Sequence, residues 1–266
     1  MRNCPPAVRN AHGLSPKVMS TPVDAWLAAL EERHLAELTF SEAARALRAL
    51  SSTYVERRER LTRKSAFDTA GKRAAYALYY SPLHFLTADA AIRALGLDTS
   101  RVRHILDLGC GAGAAGAAWA AAVTPHAQVT GIDSHPWPLA EAAFTYRAFG
   151  LRGDTRRGDA ARVQVPRDVD AVIAGWMLNE LSDASRATVQ SQLLRAAERG
   201  VQVLIIEPIA TRVSPWWPDW ARAFAQSGGR ADEWRFRVTL PDLVKRFDRA
   251  AGLRHDELTA RTLLLK

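Results

Sequence analysis

The stretch whose reading decides the fold is ILDLGCGAGAAG, Ile105 to Gly116. An apolar run stops at Asp107, and Gly109, Gly111 and Gly113 follow at alternate positions before an alanine-rich segment. Strand, glycine turn and helix in that order make a cradle where backbone amides at a helix N-terminus meet a ligand. Glycines there permit unusual backbone angles and leave no Cβ in the way. Read from its end, Gly111-x-Gly113-x-x-Gly116 has the spacing of a dinucleotide-binding turn. Read from its start, Asp107-x-Gly109-x-Gly111-x-Gly113 suits a different nucleotide-like ligand.

Around this turn the chain alternates short β-prone runs with helical stretches. The runs are HILDL, then Gln128–Asp133, Ala171–Gly175 and VQVLIIE at Val201–Glu207. Buried parallel strands read as continuous apolar runs, and helices between them make βαβ units. Residues 100–266 are therefore expected to form a Rossmann-like, doubly wound α/β domain with a mainly parallel sheet, carrying a Trp- and Arg-rich insertion near 210–237.

Upstream, the signals are helical. Thr21-Pro22 starts a helix with Trp26, Leu27 and Leu30 at helical spacing. Thr39-Phe40-Ser41-Glu42 reads as a capping box. The stretch from Tyr54 to Lys64 is helix-prone, and Ser81-Pro82 reads as the opening of a further helix that Gly96 ends. Residues 1–99 are expected to be an all-helical region packed over the ligand cleft, with residues 1–17 as a mobile arm.

The 266 residues, 48% hydrophobic and 24% charged, suit one soluble unit of this kind. Two cysteines, Cys4 and Cys110, can build neither a disulfide framework nor a cysteine-based zinc site. No secretory h-region opens the chain and no apolar stretch is long enough for a membrane span, so a cytoplasmic location is expected. His84, His104, His126, His135 and His255 show no metal-binding spacing, so no metal is expected. The net charge of +8 leans toward anionic partners, RNA among them.

Two features favour S-adenosylmethionine over NAD as the ligand. Asp107 ends the strand inside the fingerprint, where a carboxylate can accept from an amino acid's ammonium, directly or through water, but would repel a pyrophosphate. Gly109 already occupies the strand end, so the dinucleotide pattern begins two residues late. Asp133 closes the second strand, where an acid chelates ribose hydroxyls in either ligand class. Asp159-Ala160 follows a weak third strand, where an acid can accept from an adenine amino group.

In DLGCGAG, GID, GDA and AVIAG, in order and spacing, the sequence resembles the class I, Rossmann-like methyltransferases. That resemblance implies a methyltransferase using S-adenosylmethionine and releasing S-adenosylhomocysteine. It implies that Asp107, Gly109, Gly111 and Gly113 hold the methionine end, Asp133 and Ser134 the ribose, and Asp159 and Ala160 the adenine. The segments LNEL (178–181), IIEP (205–208) and the aromatic-rich run before Ser81-Pro82 resemble the ribosomal small-subunit methyltransferase-like family. This second resemblance implies rRNA methylation and a ribosomal partner, with a small-molecule acceptor or a non-catalytic assembly role as alternatives. The chain departs from that family at Ala112, where a proline is usual, and lacks its cysteine cluster, so an iron–sulfur role is excluded by ligand count. The helical region before a DLGCG core is also similar to the aminoglycoside-resistance 16S rRNA methyltransferases.

Asn179 and Glu180 leave the fourth strand where class I acceptors sit, so Asn179 is expected to orient the acceptor and Glu180 to act as a base or bind a cation. Trp176, just before them, and Trp216, Trp217 and Trp220 are expected to line or cover the acceptor. Arg212, Arg222, Arg230, Arg235 and Arg237 surround the last three, as phosphate contacts or as a solvated face. The oligomeric state has no signature in the sequence.

Overall fold

The computed structural model describes residues 8–11, 21–56 and 67–266. The helix-prone residues 57–64, and residues 1–7 and 12–17 of the expected arm, lie outside them.

One eight-stranded sheet organises the fold. Its strands are β1 (Val8–Ala11), β2 (His104–Leu108), β3 (Gln128–Asp133), β4 (Gly153–Arg157), β5 (Ala171–Gly175), β6 (Gln202–Glu207), β7 (Arg230–Arg237) and β8 (Glu257–Leu265). Their order is β1-β7-β8-β6-β5-β2-β3-β4, and only β8 runs antiparallel to its neighbours. The order reverses between β2 and β5, and a ligand crevice opens at the carboxyl ends of strands on either side of such a switch. An all-parallel dinucleotide sheet has no strand like β8 inserted between its last two parallel strands. Val8–Ala11 corrects the expectation of a mobile arm. It pairs in parallel with β7, whose outer edge would otherwise present an unpaired row of backbone groups.

Strand alternation sends side chains to two cores. Ile105, Val129, Ile173 and Leu204 face one, and Leu106, Ile132, Val172 and Val203 face the other. Helices α5 (Ala114–Ala122), α6 (Pro136–Ala148) and α9 (Asp242–Ala250) cover the first face; α7 (Asp183–Ala197) and α8 (Trp217–Gln226) cover the second.

The N-terminal helices α1 (Thr21–His34), α2 (Phe40–Glu56), α3 (Ala70–Ala75) and α4 (Ser81–Leu95) belong to the first core rather than to a separate one. Trp26 is fully buried, its ring 5.5 Å from Phe85 and 5.3 Å from Phe149. Glu141 on α6 is buried and accepts from Arg33 at 3.0 Å and pairs with His34 at 2.9 Å. Burial alone would raise its pKa, but those two partners outweigh it and hold the carboxyl below its ordinary value. The capping box forms, with Glu42 Oε2 accepting from Thr39 N–H at 2.8 Å. Gly96 ends α4 in the left-handed conformation, with φ 58°.

Ser81-Pro82 opens the α-helix α4 as expected, but from a π turn and not from a loop. Ala70 to Leu95 is one continuous helical run, and Tyr76–Tyr80 within it forms a π turn closed by Ser81 N–H donating to Tyr76 C=O. A proline inside an α-helix removes one hydrogen bond and crowds the carbonyl four residues back, here Leu78. Widening that turn by one residue relieves the crowding and lets the helix continue through Pro82.

Candidate active site

The glycine turn sits at the switch point. Gly109, Gly111 and Gly113 have φ of 64°, 51° and 77°, a region closed in practice to other residues in succession. Gly113 N–H donates to Cys110 C=O at 2.7 Å, and Cys110 N–H donates to Ile132 C=O at 2.9 Å, which ties the turn to the end of β3. Helix α5 then starts at Ala114 with no cap from the N-cap residue; Asp107 takes the Gly116 amide, which leaves those of Ala114 and Ala115 for a ligand. Cys110 is buried within the turn.

Asp107 is 1% exposed. Its Oδ2 accepts from Gly116 N–H at 3.0 Å and from the Tyr146 hydroxyl at 3.4 Å. Burial, helped by the charge of Asp133, pushes its carboxyl up to about 7 against the pull of those two donors. The same close fit explains Gly116, where a Cβ would lie 2.5 Å from Asp107 Oδ2. So inaccessible a carboxylate leaves open, of the two routes to a ligand's ammonium that the sequence allows, only the indirect one through water.

Asp133 is 3% exposed and clamps the mouth of the cleft. It accepts from Gly111 N–H at 3.2 Å and from His135 N–H at 2.9 Å. Ser134 beside it is exposed, and its carbonyl accepts from Arg157 Nε. Asp159 is exposed and forms a turn, accepting from Ala161 N–H at 3.0 Å, while Ala160 is buried against Ile132 in the second core.

Aromatic side chains roof the turn. Phe67 packs on Trp137, Tyr76 and His135 at centroid distances of 4.9, 5.0 and 5.4 Å. The Tyr76 hydroxyl stands over the glycines, 2.7 Å from where a Cβ on Gly111 would lie. His84 stacks flat on Trp176, centroids 4.0 Å apart and planes 7° apart. Burial pushes the His84 imidazole down to about 3, so it is neutral near pH 7. Trp176 has φ 55°, a conformation that costs a bulky residue about 1–3 kcal/mol. Stored strain of this kind clusters at ligand clamps.

Residues 105–200 match a family model described as a methyltransferase domain. That stretch is a methyltransferase domain. Its enzyme class is S-adenosylmethionine-dependent methyl transfer, with S-adenosylmethionine as cofactor. Among solved structures, the mitomycin 7-O-methyltransferase MmcR matches with 16% identity over 93% of this chain and 74% of its own, at a TM-score of 0.51. A methyltransferase from Geobacter sulfurreducens in complex with S-adenosyl-L-homocysteine and one from Aquifex aeolicus each match with 16% identity, over 70% of this chain and 92% of theirs, at TM-scores of 0.45. These likenesses concern the fold. No curated protein matches the sequence, and the ribosomal family finds no support in the comparisons.

Beyond β5 the next turn is held by a buried acid that no local motif in the sequence singles out. Glu207, at the end of β6 and fully buried, accepts from Leu178 N–H at 2.9 Å and from the Asn179 side-chain amide at 2.5 Å. Asn179 Oδ1 in turn accepts from Trp216 Nε1 at 3.1 Å. Both ends of the Asn179 amide are thus engaged, which makes it a positioning residue for the turn, while Glu180 is exposed.

The tryptophan run also differs from its expected place. Trp217 and Trp220 are 5% and 4% exposed, inside the second core. With Phe224 they form the apolar stripe of α8, at positions i, i+3 and i+7. Arg261 lies over Trp217 at 4.9 Å, and Arg186 over the half-buried Trp216 at 5.3 Å. The arginines thought to surround this run are largely spoken for: Arg222 pairs with Asp219, Arg230 with Asp232, and Arg235 and Arg237 with Glu257. Of the four tryptophans expected near the acceptor, Trp176 is the one beside the cleft. Phe67, Tyr76 and His84 join it there; nothing in their local sequence marks them except the density of aromatics before Ser81.

Proposed function

We propose that the protein transfers a methyl group from S-adenosylmethionine to a small, ring-bearing acceptor held beneath the helical cover. The observation that carries this reading is the aromatic roof: Tyr76 over Gly111, and His84 stacked on the strained Trp176. Planar rings in offset or stacked contact favour a flat, apolar acceptor. A roof that shares the main hydrophobic core with α5 and α6 favours an enclosed site over a broad groove for folded RNA. The O-methyltransferase likeness of MmcR adds the same fold to this reading, and no more.

The residues fit the cofactor. Three left-handed glycines and the first two amides of α5 give it a turn that contributes no side chain of its own. Gly109, Gly111 and Gly113 would face the methionine end, Asp133 and Ser134 the ribose, and Asp159 and Ala160 the adenine. When bound, the cofactor supplies an electrophilic methyl on a sulfonium. The chain's own contribution is alignment and exclusion of water. His84, neutral, contributes a stacking face and no charge. Glu207 and Asn179 hold the turn that carries Trp176 and Met177 against the glycines.

RNA as acceptor rests on the net charge and on short motifs alone. Transfer of tritium from labelled S-adenosylmethionine into a metabolite extract, compared with total RNA, decides between the two. Label in the small-molecule fraction is expected. Label confined to RNA would overturn the proposed acceptor, and no label in either would overturn catalysis.

A further inference from the structure

A cavity lies apart from the glycine turn. It has a volume of about 720 Å³ and opens between the end of β7 and the start of β8, against α9. Four strand positions separate β7 from β2, about 19 Å at the usual strand spacing. It nevertheless lies at the same end of the sheet, because β7 runs parallel to β6, β5 and β2.

Its floor is a hydrogen-bonded cluster. The buried Tyr79 hydroxyl donates to Asp248 Oδ1 at 2.5 Å. His255 Nδ1 lies 2.6 Å from the same oxygen, and His255 N–H donates to Asp248 Oδ2 at 2.9 Å. The one buried acid of the cavity is therefore already matched by three donors. With Nδ1 committed to Asp248, Nε2 is the ring nitrogen of the half-exposed His255 left for a ligand.

Its wall is cationic. Lys245 and Arg249, one helical turn apart on α9, line the cavity together with Arg254. All three are exposed, and among the described residues their side chains form no ion pair or hydrogen bond. The arginines of β7, in contrast, are matched to carboxylates. Asp256 is the one other acid lining the cavity, so cations outnumber free carboxylates there three to one. Unmatched cations around a concavity with a fixed imidazole are what a phosphate group requires: charge from several sides and a directional partner.

We propose that this cavity binds a phosphate-bearing ligand, with Lys245, Arg249 and Arg254 as its charge contacts and His255, held by Asp248 and Tyr79, as its oriented contact. This site does not depend on the methyl-transfer reading. The phosphate comes either from a small phosphorylated molecule or from a nucleic acid backbone, and the test separates the two.

The test is calorimetric titration of the full chain with pyrophosphate and, separately, with a short single-stranded RNA oligonucleotide. Three proteins are compared: the parent chain, the double variant Arg249→Ala/Arg254→Ala, and a control, Arg152→Ala/Arg167→Ala, that removes two exposed arginines elsewhere. The parent is expected to bind at least one probe. The Arg249/Arg254 variant should bind it at least tenfold more weakly, and the control should bind it unchanged. S-adenosylhomocysteine affinity should be equal in all three, which shows intact folding and keeps this result separate from the cofactor site. Binding of pyrophosphate assigns a small ligand; binding of RNA alone, falling steeply with salt, assigns the backbone. Failure of both probes to bind the parent, or equal losses in the two double variants, overturns the proposal.

Discussion

Asn179, in the turn after β5, and Glu207, the last residue of β6, meet side chain to side chain at 2.5 Å. Through that contact the end of β6 fixes the turn after β5. Asn179→Leu leaves Glu207 with one donor fewer and Trp216 Nε1 without its acceptor. Chemical denaturation should show a loss of about 1–3 kcal/mol, the cost of stranding buried polar groups. A loss below about 0.5 kcal/mol would show that the contact does not hold the turn.

Asp107 makes the cofactor-free protein sensitive to pH in a defined direction. Its folded-state carboxyl is pushed up to about 7, against an ordinary value of 3.8. A raised acid favours folding fully below pH 4, and that contribution is lost as pH rises from about 4 to about 7. The change is at most about 4 kcal/mol, at 1.36 kcal/mol for each tenfold. Asp107→Asn keeps an acceptor for Gly116 and Tyr146 and removes the ionisation. The variant should gain on the parent in urea midpoint between pH 5 and pH 8; a constant difference across that range would contradict the assignment.

Asp133→Ala removes the acceptor for Gly111 N–H and the expected ribose contact together. S-adenosylhomocysteine should bind about 1–3 kcal/mol more weakly, roughly 5- to 150-fold. Unchanged affinity in a folded variant would move the ribose site elsewhere.

At Gly111, Ala meets two obstacles: φ of 51° and the Tyr76 hydroxyl 2.7 Å from the new Cβ. Gly111→Ala should weaken cofactor binding. Adding Tyr76→Phe removes the second obstacle and should recover part of the loss, the backbone strain of about 1–2 kcal/mol remaining. Calorimetry on the single and double variants reads the difference, and absence of any recovery would remove Tyr76 from the roof.

Two tryptophans should separate stability from transfer. Trp217→Ala empties a core position and should cost about 3–5 kcal/mol of stability. Trp176→Ala should leave S-adenosylhomocysteine affinity near that of the parent and lower kcat/KM for the acceptor. Equal kinetic effects in the two would return the acceptor wall to the tryptophan run.

Local patterns in the sequence were sufficient for the glycine turn, the parallel strands, the capping box at Thr39 and the stop at Gly96, because each is set by neighbours along the chain. The misreadings have a common cause. A proline that opens a helix from a loop and one that follows a π turn within a longer helical run look the same in sequence, since both dispense with an α-helical N–H donor. Trp217 and Trp220 between prolines resemble an exposed loop until Phe224 completes their stripe. The roof of Phe67, Tyr76 and His84 and the pairing of Val8–Ala11 with β7 arise from contacts between distant segments, which no local pattern records. Glu207 carried one signal, an acid closing an otherwise apolar strand.

The π turn at Tyr76–Tyr80 takes up one more residue than an α-helical turn would. A single deletion within it would restore ordinary helical bonding and leave Ala70 to Ala75 close to their present phase relative to α4, so the change falls on the side chains of the turn itself. Tyr76 and Tyr79 now address different neighbours, the glycine turn on one side and Asp248 on the other. Losing one residue between them would shift one relative to the other while the flanking helices stay in place, so this segment should tolerate exchange of side chains better than a change in its length.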